Sequence, residues 1–374
     1  MNLTLSEKTI ILAGGGTGGH LYPGIAVAQA LRKLMPDCTP LFLCTAREID
    51  RVILEPTGFE FIAQPIVPPT KTVGGLLKFW KSWRETKDLF KRTRRERSPV
   101  AVLGLGGYAA GVAVRAAAEK RIPTAILNPD VVPGKANQFL VRKVRAICCQ
   151  FAQSAEYLPA NHRHKVKVTG CPIREDFRTA LDRKAAATRL GLDPRMQTLT
   201  ITGASQGALT VNDAVLAMVK ELNLQGWQIL HLAGRDHAAN VRKAYREMEV
   251  EARVVDFTPG MADVWAVTDL TIARSGASTC AELTACGVPS ILMPYPFHKD
   301  MHQRANAQVL VDAGAAVLVD DEKDAKKNAA KLTPAVQGLL RDMTKRTAMA
   351  EAARKLGRGN AAEAVAGILG EIVR

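Results

Sequence analysis

Three times in this chain a short apolar run ends abruptly in glycine. Lys8 to Ala13 runs into Gly14 to Gly19, Val100 to Leu105 into Gly106-Gly107-Tyr108, and Thr198 to Thr202 into Gly203 to Gly207. Such a run reads as a buried strand. Glycine then lets the chain turn tightly and leaves backbone N–H groups open at the start of the next helix, where the dipole favours phosphate. Further apolar runs alternate with helical stretches, the mark of parallel sheets covered on both faces. The pattern restarts after Gly170-Cys171-Pro172. We therefore expect an α/β chain of two doubly wound, Rossmann-like domains, 1–171 and 172–353, with a last helix over 354–374 packing back on the first. At 374 residues and 47% apolar side chains it can fill two cores. Ligands in such sheets sit at the carboxyl ends of strands, so loops of both domains are expected to line a cleft.

Lys and Arg exceed Asp and Glu by 51 to 36, a net charge of +15 that calls for an anionic partner. Nucleic acid is not expected: no recognisable binding module is present, and aromatics make up only 5%. The opening MNLTLSEKTI lacks the pattern of a secretory signal, and no apolar run is suited to spanning a bilayer. Seven scattered cysteines suggest reduced thiols and a cytoplasmic setting.

Gly14, Gly16 and Gly19 also match the spacing of a dinucleotide loop. That reading needs an acidic residue about 20 residues on, at the end of the second strand, to hold a ribose. The strand instead ends Cys44-Thr45-Ala46, with Glu48 and Asp50 in what reads as a helix. A bound dinucleotide is therefore not expected.

Seven segments in order, GGGTGGHLYPGIAVAQAL, GLGGYAAG, DVVPGKAN, GCPIR, GASQGA, RSGASTCAE and HQRANA, resemble the MurG family of glycosyltransferases over nearly the whole chain. The resemblance implies a GT-B fold with the donor nucleotide held mainly by the second domain. It also implies an inverting transfer of GlcNAc from UDP-GlcNAc to the 4-hydroxyl of MurNAc in lipid I. The product, lipid II, serves peptidoglycan synthesis and hence cell shape and division. It further implies a lipid-linked acceptor, an anionic membrane surface at the cytoplasmic face, and other cell-wall synthesis proteins as partners. No cofactor is implied, and no D-x-D pair stands near the donor loops, so no tightly bound metal is expected.

On the donor side, Ser205, Gln206 and the Gly207 N–H open a helix and are expected to bind the diphosphate. Arg274 and Arg174 are candidates for further phosphate contacts, since a guanidinium fork matches phosphate oxygens; a solvated surface arginine is the alternative. Ser275, Ala277, Ser278 and Thr279 belong to the matched RSGASTCAE segment. The resemblance implies that Glu282 accepts the ribose hydroxyls, that Thr258 and Met261 hold the uracil, and that His302, Gln303 and Asn306 meet the sugar. On the acceptor side, Thr17, Gly18, Gly19 and Tyr108 are expected to take the acceptor's diphosphate. His20, whose imidazole is the side chain type suited to proton transfer near neutrality, is the first candidate for the base; bonding a loop or the acceptor is the alternative.

One segment departs from the family. Where its members read His-Glu-Gln-Asn, this chain has Leu127-Asn128-Pro129-Asp130, so Asn128 stands at an acceptor-side position and Asp130 is a second candidate base. Cys171 replaces the family's usual asparagine. A related enzyme acting on another membrane lipid, or a UDP-sugar-binding membrane scaffold without turnover, therefore stays open. Lastly, the helix over Val73 to Arg97 carries Leu76, Leu77, Phe79, Trp80 and Trp83 among Lys and Arg, the composition of a helix lying on an anionic membrane. Packing on the sheet is its other reading.

Overall fold

The structure is a computed structural model that describes residues 8–177, 182–203 and 207–373. It divides into two compact units, Met1–Arg174 with Gly359–Arg374, and Glu175–Arg358. In the first unit the strands are β1 (Lys8–Gly14), β2 (Cys38–Thr45), β3 (Glu60–Gln64), β4 (Pro99–Gly106), β5 (Thr124–Asn128), β6 (Ala146–Cys149) and β7 (Val166–Val168). Its helices are α1 (Gly18–Leu34), α2 (Glu48–Leu54), α3 (Val73–Arg97), α4 (Gly107–Glu119) and α5 (Lys135–Leu140).

The second unit holds β8 (Gln197–Thr202), β9 (Trp227–Leu232), β10 (Arg253–Val255), β11 (Leu270–Ala273), β12 (Ser290–Leu292) and β13 (Ala316–Leu318). Around them lie α6 (Arg183–Leu190), α7 (Leu209–Met218), α8 (Ala238–Glu247), α9 (Met261–Val267) and α10 (Ala277–Cys286). Then come α11 (His302–Asp312), α12 (Ala325–Arg341) and α13 (Met343–Leu356), while α14 (Ala361–Val373) returns to the first unit.

Every strand pairing is parallel. The first sheet runs β3-β2-β1-β4-β5-β6-β7 and the second β10-β9-β8-β11-β12-β13. Each order reverses once, between β1 and β4 and between β8 and β11. At such a switch neighbouring loops leave the sheet to opposite sides and open a crevice for a ligand. Both sheets are thus two-faced α/β layers, as the alternating pattern predicts.

The alternation of β1 shows how the layers close. Ile10 and Leu12 point into one apolar cluster with Leu103 and Leu105, and Ile11 and Ala13 into another with Leu41 and Val102. Val365, Ala366 and Leu369 of α14 complete the first of these. Each fully buried Ile or Leu contributes about 1.5–3 kcal/mol. The expected single helix over 354–374 is in fact two. α13 ends at Leu356, and Gly357 to Asn360 interrupts the chain before α14, since two glycines there favour leaving the helix. No helix among the described residues is long and apolar enough to cross a membrane.

α3 turns a different face inward from the one its aromatics suggest. Ser82, Thr86, Phe90 and Thr93 form its buried stripe, at helical spacing. Phe79 and Trp83 flank that stripe and pack, with Tyr108, against Ile66, Ala109 and Val112. Of the five residues expected at a membrane, Phe79 and Trp83 are therefore committed largely to the fold. Leu76, Leu77 and Trp80 stay exposed, at 44%, 67% and 58%.

Candidate active site

The first glycine loop stands at the β1/β4 switch and is fixed from below by a carboxylate. Asp50 of α2 is fully buried. Its two oxygens accept from the Gly16 N–H at 2.7 and 2.9 Å, and Oδ2 also accepts from the Thr45 N–H at 2.8 Å and the Thr45 hydroxyl at 2.7 Å. Arg47 donates to the Gly16 carbonyl at 3.2 Å. A side chain at position 15 would place its Cβ 2.2 Å from Asp50 Oδ2, so only glycine lets the loop lie this close.

From this loop rises His20, half-buried on the first turn of α1. Its Nδ1 lies 3.0 Å from the Gly15 carbonyl and 3.2 Å from the Thr17 hydroxyl. A carbonyl only accepts, so Nδ1 carries the hydrogen and Nε2 of the neutral ring is left as an acceptor. The ring lies against Gly106 and Gly107, whose φ angles are +109° and +71°. A Cβ at either position would come within 3.0 Å of a ring carbon. The second glycine loop thus seats the imidazole of the first. Thr17 caps α1 without a side-chain hydrogen bond, and Gly18 and Gly19 open the helix with the amide geometry that suits an anion.

The remaining acceptor-side candidates divide. Asn128, at the end of β5, is 1% exposed and turned inward. Its amide donates to the Asp130 carbonyl at 2.8 Å, and its oxygen accepts from Asn137 at 3.0 Å. This knot holds the altered segment together and leaves Asn128 a builder of the loop, contrary to the expected ligand contact. Asp130 is half-buried, and its carbonyl also accepts from Ser154 at 3.3 Å. Tyr108 is half-buried beside Phe79 and Trp83. Arg174, expected on the donor side, belongs to the first unit, with its guanidinium 5.4 Å from the Tyr22 ring centre.

At the β8/β11 switch the loop residues Ser205 and Gln206 lie outside the described residues. Gly207 is described, and a Cβ there would stand 2.2 Å from the Ala233 carbonyl. That carbonyl accepts from Asn212 at 3.0 Å. Asn212 in turn lies 3.0 Å from His231 Nε2, and His231 Nδ1 lies 2.9 Å from the Tyr245 hydroxyl. Burial pulls the His231 imidazole down to about 3, so it stands neutral beneath the loop.

Several donor-side residues serve the fold. Arg274 is 5% exposed. Its guanidinium meets Asp321 at 2.9 Å and donates to the Met293 and Pro294 carbonyls at 2.9 Å and the Thr210 hydroxyl at 2.6 Å. Both terminal nitrogens are thus held by protein, while the Nε is buried without a hydrogen-bond partner. Burial alone would push the Asp321 carboxyl up, but hydrogen bonds from Thr210, Asn328, the Lys323 N–H and Arg274 hold it below its ordinary value. Ser275 and Asn306 are both fully buried. Ser275 donates to the Gln303 carbonyl at 2.8 Å, and Asn306 to the Ser275 carbonyl at 3.1 Å, so the pair stitches the end of β11 to α11.

The remaining donor-side candidates lie on α10, just before α9 and at the start of α11. Ala277, Ser278 and Thr279 form the first turn of α10, where the last two are half-buried. Glu282, on the same helix, accepts from the Trp265 indole at 2.9 Å, tying α10 to α9. Thr258 accepts from the Gly260 N–H at 3.0 Å and so shapes the turn before Met261. Gln303 accepts from the Tyr295 N–H at 3.0 Å through its oxygen, leaving its amide nitrogen near Gly276. The His302 Nδ1 lies 2.7 Å from Asp300.

Residues 10–149 match the glycosyltransferase family 28 N-terminal domain and 198–365 the C-terminal domain of the same family. The transferase of Carboxydothermus hydrogenoformans named UDP-N-acetylglucosamine--N-acetylmuramyl-(pentapeptide) pyrophosphoryl-undecaprenol N-acetylglucosamine transferase is 32% identical, over 98% of each chain. The chain belongs to the MurG family. The relative of the same name in Solibacter usitatus is 34% identical over 100% of this chain and 98% of its own. The crystal structure of Acinetobacter baumannii MurG shares the fold, at a TM-score of 0.76 and 24% identity over 97% of this chain and 99% of that one.

Within this MurG-family chain, Asp50, Asn212, His231 and Asp321 were not among the residues expected from sequence. Asp50 had a signal, an acidic residue just past a strand whose loop has no other anchor, but it was weighed only as a ribose ligand. The other three had none, because their partners lie far away in the sequence.

Proposed function

We propose that this chain is an inverting N-acetylglucosaminyltransferase that moves GlcNAc from UDP-GlcNAc to the 4-hydroxyl of MurNAc in undecaprenyl-diphosphate-linked lipid I, forming lipid II. The observation that carries this is the end-to-end relationship to enzymes bearing that name. His20 Nε2 takes the proton of the attacking hydroxyl as its oxygen bonds to the anomeric carbon. The bond to UDP breaks and the nucleotide leaves with the electron pair. Its new charge falls on the amides of the loop ending at Gly207 and of the first turn of α10. The diphosphate of the acceptor rests on the amides of Gly18 and Gly19.

A peripheral position on the cytoplasmic face of the membrane suits a lipid-linked acceptor. The exposed Leu76, Leu77 and Trp80, next to Lys78, Lys81 and Arg84 on α3, support it. The Asn128-Pro129-Asp130 segment favours one second reading, a related enzyme that glycosylates another membrane lipid. Purified protein given radiolabelled UDP-GlcNAc with lipid I and with a diacylglycerol, side by side, separates the two. Label entering lipid I alone is the expected result; label entering diacylglycerol alone overturns it.

A further inference from the structure

The segment between β12 and α11 carries more chemistry than a sugar contact requires. His298 and Asp300 are exposed and His302 is half-buried, and their ligand atoms all lie within 4.8 Å of one another. No other such group of three or more His, Cys, Asp or Glu side chains occurs among the described residues. The His302 Nδ1 is 2.7 Å from an Asp300 oxygen, and the two imidazoles lie with centroids 4.5 Å apart and 30° between planes. Met301, the residue before α11, adopts the left-handed φ of +49° that a non-glycine residue rarely takes. That turn brings His302 against Asp300 and His298.

Two imidazoles and a carboxylate make an N,N,O donor set, which suits zinc, cobalt and nickel better than the all-oxygen preference of magnesium or calcium. Metal–ligand bonds of about 2.0–2.2 Å set ligand-to-ligand edges of about 3.3 Å in a tetrahedron. That edge falls between the 2.7 Å and 4.8 Å observed here, so small side-chain rotations suffice. We propose that His298, Asp300 and His302 bind one divalent transition-metal ion of the zinc class, with water completing its coordination.

The ion would tie the segment after β12 to the first turn of α11. Tyr295 packs its ring edge-on to His298, with centroids 4.6 Å apart, and its N–H holds the Gln303 oxygen at 3.0 Å. A bound ion therefore restrains Gln303, and its influence on the donor sugar rests on the reading given above. The ion takes no part in the transfer step. Metal binding itself does not depend on that reading.

Cobalt(II) titrated into the full chain without nucleotide sugar, followed by visible absorption, tests the proposal. One saturating equivalent is expected, with the bands of nitrogen and oxygen ligands and displacement by zinc. His302→Gln and His298→Gln should each weaken binding by at least about tenfold, with the thermal midpoint of each variant taken to show that it folds. No saturable binding, equal binding in both variants, or a thiolate charge-transfer band that survives them overturns the site. UDP-GlcNAc binding to the same protein is read separately. If it is lacking while cobalt binds as expected, the donor reading fails and the metal site stands.

Discussion

At the switch between β1 and β4, the polar residue that ends the glycine loop is presented outward. His20 is half-buried, its ring seated on two glycines and its loop pinned by Asp50 from beneath. At the switch between β8 and β11, the polar residues of the matched segments are drawn inward. Arg274, Ser275 and Asn306 are buried at 5%, 0% and 0%, and bond to Asp321, the Gln303 carbonyl and the Ser275 carbonyl. The same topology thus yields one switch that presents a side chain and another at which Arg274, Ser275 and Asn306 are committed to the fold. The difference follows from the ligands each would meet. A diphosphate can be held by amides at a helix start, whereas proton transfer needs a titrating side chain with one nitrogen kept free.

If the second switch is built as described, Arg274→Ala should show the largest loss of stability. It strands the buried Asp321 carboxylate, and about 3–5 kcal/mol should be lost in denaturant unfolding. An unchanged midpoint with weakened UDP binding would instead place Arg274 on the ligand. Asp50→Ala tests the first switch in the same terms. Leaving the Gly16 and Thr45 amides without their acceptor should lower stability by about 2–4 kcal/mol. Turnover should fall by about 10²-fold, because the loop under His20 shifts. A drop in stability with full turnover would separate Asp50 from the positioning of His20.

pH sharpens the comparison further. The His231 imidazole is held far below its ordinary 6.5, at about 3, so the folded state resists its protonation and the unfolded state does not. Its contribution to stability is complete above about pH 6.5 and drains as pH falls toward about 3. Unfolding measured across that window should lose part of its slope in His231→Gln. A slope identical to that of the parent chain would deny His231 this part. The smallest effect is expected outside both switches. Leu77→Ser with Trp80→Ser should weaken binding to anionic vesicles by about tenfold while UDP binding stays intact.

The legibility of the chain follows the range of its interactions. The runs Lys8 to Ala13, Val100 to Leu105 and Thr198 to Thr202 match β1, β4 and β8 to within one residue at each end, because an apolar run bounded by polar and turn residues carries its own ends. The inward face of α3 was also present in the spacing of positions 82, 86, 90 and 93, while the tryptophans drew attention to the face beside it. Asp50 was seen and misjudged. Its partner amide at Gly16 lies 34 residues away, and only the parallel pairing of β1 and β2 brings them together. The burial of Arg274 was not legible, because a charge in a sequence carries no mark of burial and its counterion Asp321 follows two strands later. The turns of the first two glycine loops were legible, because the positive φ at Gly14, Gly16, Gly106 and Gly107 calls for glycine.

The measurement that bears most directly on the account is the turnover of His20→Ala with UDP-GlcNAc and lipid I, taken beside its affinity for UDP. The account predicts kcat lowered by about 10²–10⁴-fold, with UDP binding unchanged. Near-normal turnover in that variant would contradict it, and would move the base away from the loop at the β1/β4 switch.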